Sequence, residues 1–315
     1  MNTQLFQKYS QDFPALMAKE NLGQLTIKNY YADLQIFLRY IENNRISEIQ
    51  EKTLLSFQEK LILEKFSKNA MRRIFQTLRR FFSILEKTNK IEQNYAKKIP
   101  TFPKELDLPH PPVLSILTNL WGQFHRAQKL YPDSLIPLRN KILFCLIYFM
   151  GAKVNNISLM TWNHLFLGKN PRVLLQEKSK KFKDPWTVPF GEFLIPLFLQ
   201  YKDQLVKNKL FTSEKGSLLY GANAHGLLHP FLSDRGIQLI FEQWSKEISY
   251  TLLPRDLRQA CICRWFQLEY SDGQIREWMG VAKNYPLAPY HDLSRELQTK
   301  FNYTDFDKIL QDGSI

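Results

Sequence analysis

Little in this chain is suited to holding a disulfide or a metal. Its 315 residues include three cysteines, Cys145, Cys261 and Cys263, all in apolar surroundings and without CxxC spacing. That excludes a disulfide framework and a cysteine zinc site, and it suits a reducing cytosol. Six histidines are scattered, and none pairs at a metal-ligand spacing. There is no GxxxxGK[ST], GxGxxG or HExxH, so nucleotide hydrolysis, a dinucleotide cofactor and a zincin site have no support. Nothing points to a Ser–His–Asp arrangement either. The longest apolar run, "ILFCLIYFMGA" (142–152), is too short to span a bilayer and reads as a buried helix. The start, "MNTQLFQKYSQDF", lacks the basic-then-apolar pattern of a signal peptide. The expectation is a soluble cytoplasmic protein that works without a cofactor.

Acid is also in short supply. The chain holds 43 Lys and Arg against 30 Asp and Glu, a formal charge of +13. Residues 1–100 carry 17 basic against 10 acidic side chains, so the excess is not confined to one end. A polyanion touched by both parts would produce this distribution, and nucleic acid is the first candidate. A membrane or ribosome surface remains open on charge alone. With 44% hydrophobic residues the chain reads as globular, long enough for two cores.

Five prolines in "KKIPTFPKELDLPHPPVLS" (97–115) break the helical patterning. The reading is a helical N-terminal domain over 1–98, a Pro-rich linker over 99–114 and a C-terminal domain over 115–315. "TIKNYYADLQIFLRYIENN" (26–44) and "NAMRRIFQTLRRFFSILEK" (69–87) have helical apolar spacing. The second places Arg72, Arg73, Arg79 and Arg80 opposite its apolar arc, with no acid on that stripe through residue 85. These arginines read as a surface for backbone phosphates; a solvated cationic face is the bland alternative. In the second domain, 134–165 suggests a buried helix, a turn at Gly151 and a second helix. "PRVLLQEKSKKFKDPWTVPF" (171–190) reads as a β-hairpin with a basic tip, joined by a short strand at "SLLY" (217–220). The fold class expected is mainly α, with a small antiparallel β-sheet in the C-terminal domain.

The basic hairpin, the helix start "PRDLR" (254–258) and "MGVAKNYPLAPYHDLS" (279–294) together resemble the tyrosine recombinase (integrase) family over nearly the whole chain. Arg258 to Val281 is 23 residues and Val281 to Tyr290 is nine, and both spacings match the family without a gap. The resemblance implies a two-domain clamp around double-stranded DNA. It also implies a tyrosine phenolate that attacks a backbone phosphorus, giving a 3′-phosphotyrosine and a free 5′-hydroxyl. No metal or nucleotide is needed, because the bond energy stays in the covalent link. Fixed cations must surround the phosphate as charge builds on its oxygens.

Carried onto this sequence, the resemblance makes Tyr290 the nucleophile and Arg258 a phosphate clamp. Lys178 matches the hairpin lysine that protonates the leaving oxygen, since "EKSKK" stands where the family has Gly-Lys-Gly-x-Lys; Lys180 or Lys181 is the alternative. The departures are equally specific. Lys153 replaces the family's first arginine and keeps charge without the bidentate fork. Arg255 replaces a residue that can shuttle a proton. Gln259 stands for a histidine, Asn155 and Asn156 stand for Ser-Glu, and Val281 replaces a hydrogen-bond donor. His291 is a substitute donor to consider. Residues 292–310 form an amphipathic tail that docks on a neighbouring subunit in the family, with packing on its own domain as the alternative. The activity implied is site-specific DNA breakage and rejoining in a homo- or hetero-oligomer on DNA. The alternatives are a DNA-binding homologue without cleavage, and a basic helical protein of another kind.

Overall fold

The computed structural model describes residues 1–20, 22–103, 108–177, 184–223 and 226–311. It divides into two compact units, Met1–Asp107 and Leu108–Ile315. The first unit is built from α1 (Thr3–Gln11), α2 (Phe13–Lys19), α3 (Gln24–Asn43), α4 (Glu51–Leu63) and α5 (Lys68–Lys87), followed by a 3-10 turn at Tyr95–Lys97. Ser67 starts α5 by accepting a bond from the Ala70 amide, a typical N-cap. The apolar arc of α5 then lies wholly inside, with Ile74, Leu78, Phe81, Phe82 and Leu85 at 0% exposure. Phe6 meets Phe81 edge-on and stacks on Phe82, Phe13 meets Phe81 edge-on, and Phe37 sets its ring edge-on to Phe6. Asp33 on α3 is buried beneath α5, where the Arg73 guanidinium grips it from Nε and Nη2 at 2.9 and 2.8 Å.

The second unit opens with α6 (Leu114–Leu130) and α7 (Leu135–Tyr148). Pro137–Arg139 and Lys141–Tyr148 of α7 are all buried, so this helix is the central rod of the unit, hydrophobic nearly all round. Gly151 follows at φ +61°, and a Cβ there would meet the Trp265 ring at 2.6 Å, so glycine is required both for conformation and for space. Next come the single turn α8 (Val154–Ile157), β1 (Leu165–Phe166), β2 (Arg172–Leu175), β3 (Trp186–Pro189) and α9 (Ile195–Lys207). A small pair, β4 (Gly221–Ala222) and β5 (Leu228–His229), precedes α10 (Asp234–Glu247) and α11 (Pro254–Gln267). The described chain ends in α12 (Asp272–Trp278), α13 (Ala288–Gln298) and α14 (Tyr303–Gln311).

β1, β2 and β3 form one antiparallel sheet in chain order, with Val173 opposite both Leu165 and Val188. Val173, Leu175 and Val188 point into the core, the period of a half-buried sheet. The fold is mainly α with small antiparallel sheets, as expected. Two local expectations are corrected. The segment "SLLY" is not a strand of this sheet: Leu218 donates to the Met160 carbonyl and Ser217 makes only an isolated bridge to Thr161, while β1 takes the third place. The second helix after Gly151 is one turn long. Within that turn the Asn156 side chain caps the Lys153 amide and holds the Gln176 carbonyl, and the chain then runs on to β1.

The tail packs on its own unit. Tyr303 and Phe306 are fully buried, the Tyr148 hydroxyl donates to the Tyr303 carbonyl, and Arg264 pairs with Asp307 at 2.6 Å. No helix among the described residues is long and apolar enough to cross a membrane.

Candidate active site

The site is organised around α11. Pro254 sits in the first turn, where its missing N–H costs nothing, and the Asp256 carboxylate accepts from the Leu253 amide to close the helix start. This places Arg258 one turn in. Its Nε donates to the Gly151 carbonyl at 2.6 Å and its Nη2 to the Met279 carbonyl at 3.0 Å. Burial pulls the guanidinium pKa down from its ordinary value, with nearby thiol, phenol and carboxyl groups opposing. A guanidinium keeps its proton in proteins, so Arg258 is a fixed cation in a half-buried setting.

The turn that carries the second of those carbonyls is held through its neighbours. Trp186 on β3 donates from Nε1 to the Trp278 carbonyl at 2.9 Å, and its ring lies against Gly280. Gly280 adopts φ +60°, and a Cβ there would come within 2.4 Å of the ring. Arg276 braces the following loop by donating to the Tyr285 carbonyl at 3.0 Å. That loop leads into α13, whose first turn carries Tyr290. The Ser294 hydroxyl on α13 donates to the Cys263 carbonyl on α11, fixing the two helices together.

Tyr290 is half-buried at this junction. Burial pushes its phenol up to about 12, and the neighbouring Tyr285, to which it is hydrogen bonded, adds to the rise. Arg258 opposes the rise by favouring the phenolate. Arg258 and Tyr290 are therefore brought into one electrostatic environment. A phenol this high holds its proton at neutral pH.

Lys153 opens α8, two residues beyond the Gly151 carbonyl that holds Arg258. Its Nζ lies 2.7 Å from the Glu177 carboxylate. Arg255, by contrast, is 60% exposed, with its Nε 3.4 Å from Asp256. It edges an open cleft lined by Val154, Phe241, Leu252 and Leu253. Gln259 accepts from the His110 amide at 2.8 Å and is spent on backbone support. Val281 packs partly buried against the core. His291 sets its ring edge-on to Phe266 and faces Asp292 at 3.9 Å. Lys178, Lys180 and Lys181 lie outside the described residues.

On α5 the four arginines differ. Arg73 is bound to Asp33, and Arg79 donates to the Ala96 and Ile99 carbonyls at 2.9 and 2.6 Å. Arg80 approaches Glu20 at 3.5 Å, and Arg72 is half-buried on the same helix. Among the described residues no group of three or more His, Cys, Asp or Glu is placed to hold a metal ion.

Three contributors escaped sequence reasoning. Glu177 was legible only as the one acid at the head of a basic turn. Tyr285 was legible as an aromatic five residues before Tyr290. Trp186 carried no signal beyond strand character.

This architecture, helices with small antiparallel sheets, is shared with solved recombinase structures. Over 92% of its length it superposes on the XerH site-specific recombinase bound to palindromic difH substrate in a post-cleavage complex, covering 83% of that chain at TM-score 0.67 and 18% identity. A lambda integrase tetramer bound to a Holliday junction gives TM-score 0.65 at 15% identity, with 92% and 78% covered. Residues 11–89 match the phage integrase N-terminal SAM-like domain. The tyrosine recombinase XerC of Listeria welshimeri is 24% identical over 291 residues, 89% of this chain and 91% of that protein. For XerC of Rickettsia typhi the identity is 26% over 198 residues, and the match spans 61% of that relative. The chain thus carries a phage integrase N-terminal SAM-like domain, is similar in sequence to tyrosine recombinases along most of its length, and shares the fold of solved recombinases.

Proposed function

We propose that the protein binds duplex DNA and breaks and rejoins its strands through a 3′-phosphotyrosine on Tyr290. The observation that carries this reading is the pairing of Tyr290 with Arg258, the one a half-buried phenol and the other a cation oriented by two backbone carbonyls. In the forward step the Tyr290 oxygen bonds to phosphorus and the bond from phosphorus to the 5′-oxygen breaks. The phenolic proton passes to solvent, and a proton reaches the departing oxygen from a hairpin lysine, Lys178 by family position, or Lys180 or Lys181. Arg258 and Lys153 hold the non-bridging oxygens, and Arg255 contributes charge at the edge. A 5′-hydroxyl from a second strand reverses the step, so no net bond energy is consumed. Of the arginines on α5, Arg72 supplies a DNA contact on the N-terminal unit with Arg80 beside it, while Arg73 and Arg79 add charge from guanidiniums held by Asp33 and by the Ala96 and Ile99 carbonyls. Assembly with a second recombinase on DNA completes the reading, in keeping with the DNA-bound lambda integrase dimer and tetramer that share the fold.

The test is a nicked suicide duplex carrying the DNA site that co-purifies with the protein. Wild type should trap a covalent adduct and Tyr290→Phe should not. Equal absence of adduct from both would end the cleavage reading. A second reading, a DNA-binding partner or architectural protein without cleavage, is favoured by Val281, which cannot donate a hydrogen bond, and by the pairing of Lys153 with Glu177. Under it, adduct forms only in the Lys153→Arg, Val281→His double variant.

A further inference from the structure

Glu177 stands in the candidate site with its charge reversed from what a phosphate pocket needs. Its placement is built in. The Asn156 side chain, 1% exposed, accepts from the Lys153 amide at 2.8 Å and donates to the Gln176 carbonyl at 2.7 Å. One buried amide therefore ties the end of β2 to the start of α8. The next residue along, Glu177, is delivered onto the Lys153 ammonium at 2.7 Å. Both side chains are largely shielded, at 33% and 25% exposure, so this is no loose surface pair. Two residues before Lys153, the Gly151 carbonyl holds Arg258, and the Glu177 charge is felt at that guanidinium as well.

We infer that Glu177 is an internal anion occupying the cationic pocket of Lys153 and Arg258, and that a DNA backbone phosphate has to displace it to enter. The inference rests on the reading that this pocket receives a phosphodiester. Glu177 is then a specificity-determining residue. A free phosphate offers too little to break the pair, whereas a duplex bound through many contacts can supply the difference. While the pair is intact, Lys153 is neutralised and contributes no counterion release on DNA binding.

The experiment compares wild type, Glu177→Gln and Glu214→Gln by fluorescence anisotropy on a mixed-sequence duplex across a salt series. Glu214 pairs with Lys202 at 2.6 Å elsewhere in the same unit, so its variant removes an equal charge away from the pocket. Glu177→Gln should bind about tenfold tighter at low salt, with a salt slope steeper by about 0.9 for the phosphate contact that Lys153 gains. Glu214→Gln should stay within about twofold of wild type. Glu177→Gln matching Glu214→Gln in affinity and slope overturns the inference. A parallel arm measures thermal midpoints with inorganic phosphate, which should raise Glu177→Gln several times more than wild type. If no variant binds duplex, the DNA reading fails, and the phosphate arm alone decides: a selective rise in Glu177→Gln keeps Glu177 as occupant, and equal shifts remove it.

Discussion

Arg258 donates from its Nε to the carbonyl oxygen of Gly151 at 2.6 Å. With the Met279 carbonyl on its other side, the guanidinium is oriented by backbone and not by an acid that would cancel its charge. A lysine cannot satisfy both carbonyls from one nitrogen at the same geometry. Arg258→Lys should therefore cost about 1–3 kcal/mol of stability through the carbonyl left unpaired. Adduct formation on a suicide duplex should fall by roughly 10²–10³ for the lost oxygen contacts. Thermal denaturation and adduct yield measure the two effects separately; a variant with wild-type yield would remove Arg258 from the chemistry.

The arginines of α5 should separate under substitution. Arg79 spends its guanidinium on the Ala96 and Ile99 carbonyls and so braces the end of its unit. Arg79→Ala should lower stability by about 1–2 kcal/mol, since two acceptors lose a charged donor. Arg72→Ala should change stability by less than about 0.5 kcal/mol and flatten the salt slope of DNA binding by about 0.9. Reversed outcomes would show that α5 does not face DNA through Arg72.

How much of this was legible follows from the reach of each signal. The apolar arc of α5 could be read because helical periodicity is local, and all its predicted apolar members are buried. The partner of Arg73 could not be read, because Asp33 is 40 residues away and the contact exists only once α3 packs on α5. "SLLY" misled because a short apolar run suits a strand and a buried loop equally, and only the available neighbours decide. At the site, Arg258, Val281 and Tyr290 lie on one continuous stretch whose spacing is visible. Lys153 and Glu177 are 24 residues apart and meet through Asn156, a contact no spacing rule announces.

Arg264 and Asp307 tie α14 to the rest of its unit, with contacts of 2.6–2.9 Å and side-chain exposures of 12% and 11%. The Asp307 carboxylate raises the Arg264 pKa against the pull of burial, so the guanidinium stays charged. Removing one partner strands the other charge in a dry setting. Asp307→Asn should cost about 3–5 kcal/mol, whereas Arg264→Met with Asp307→Leu should come close to neutral. A double-mutant cycle on thermal midpoints checks this, and additive single costs would deny the coupling.

The second unit should lose stability in mild acid because of His125. Its ring is set edge-on to Trp121, and its Nδ1 is buried with no hydrogen-bond partner among the described residues. Burial lowers its pKa first, and the ammonium groups of Lys141 on α7 and Lys129 on α6 lower it further. His164 is lowered as well, by burial alone. An unfolded chain takes up histidine protons near about pH 6.5, while the folded protein resists them to lower pH. Protons then bind the unfolded state preferentially, so stability falls as pH drops through about 6.5 and is flat above it. Thermal midpoints should be level between about pH 7.5 and 8.5 and decline from about pH 6.5 to 5.5. His125→Phe keeps the packing on Trp121 and should reduce that decline without abolishing it, because His164 still titrates. An acid decline of the same size in His125→Phe would assign the effect elsewhere.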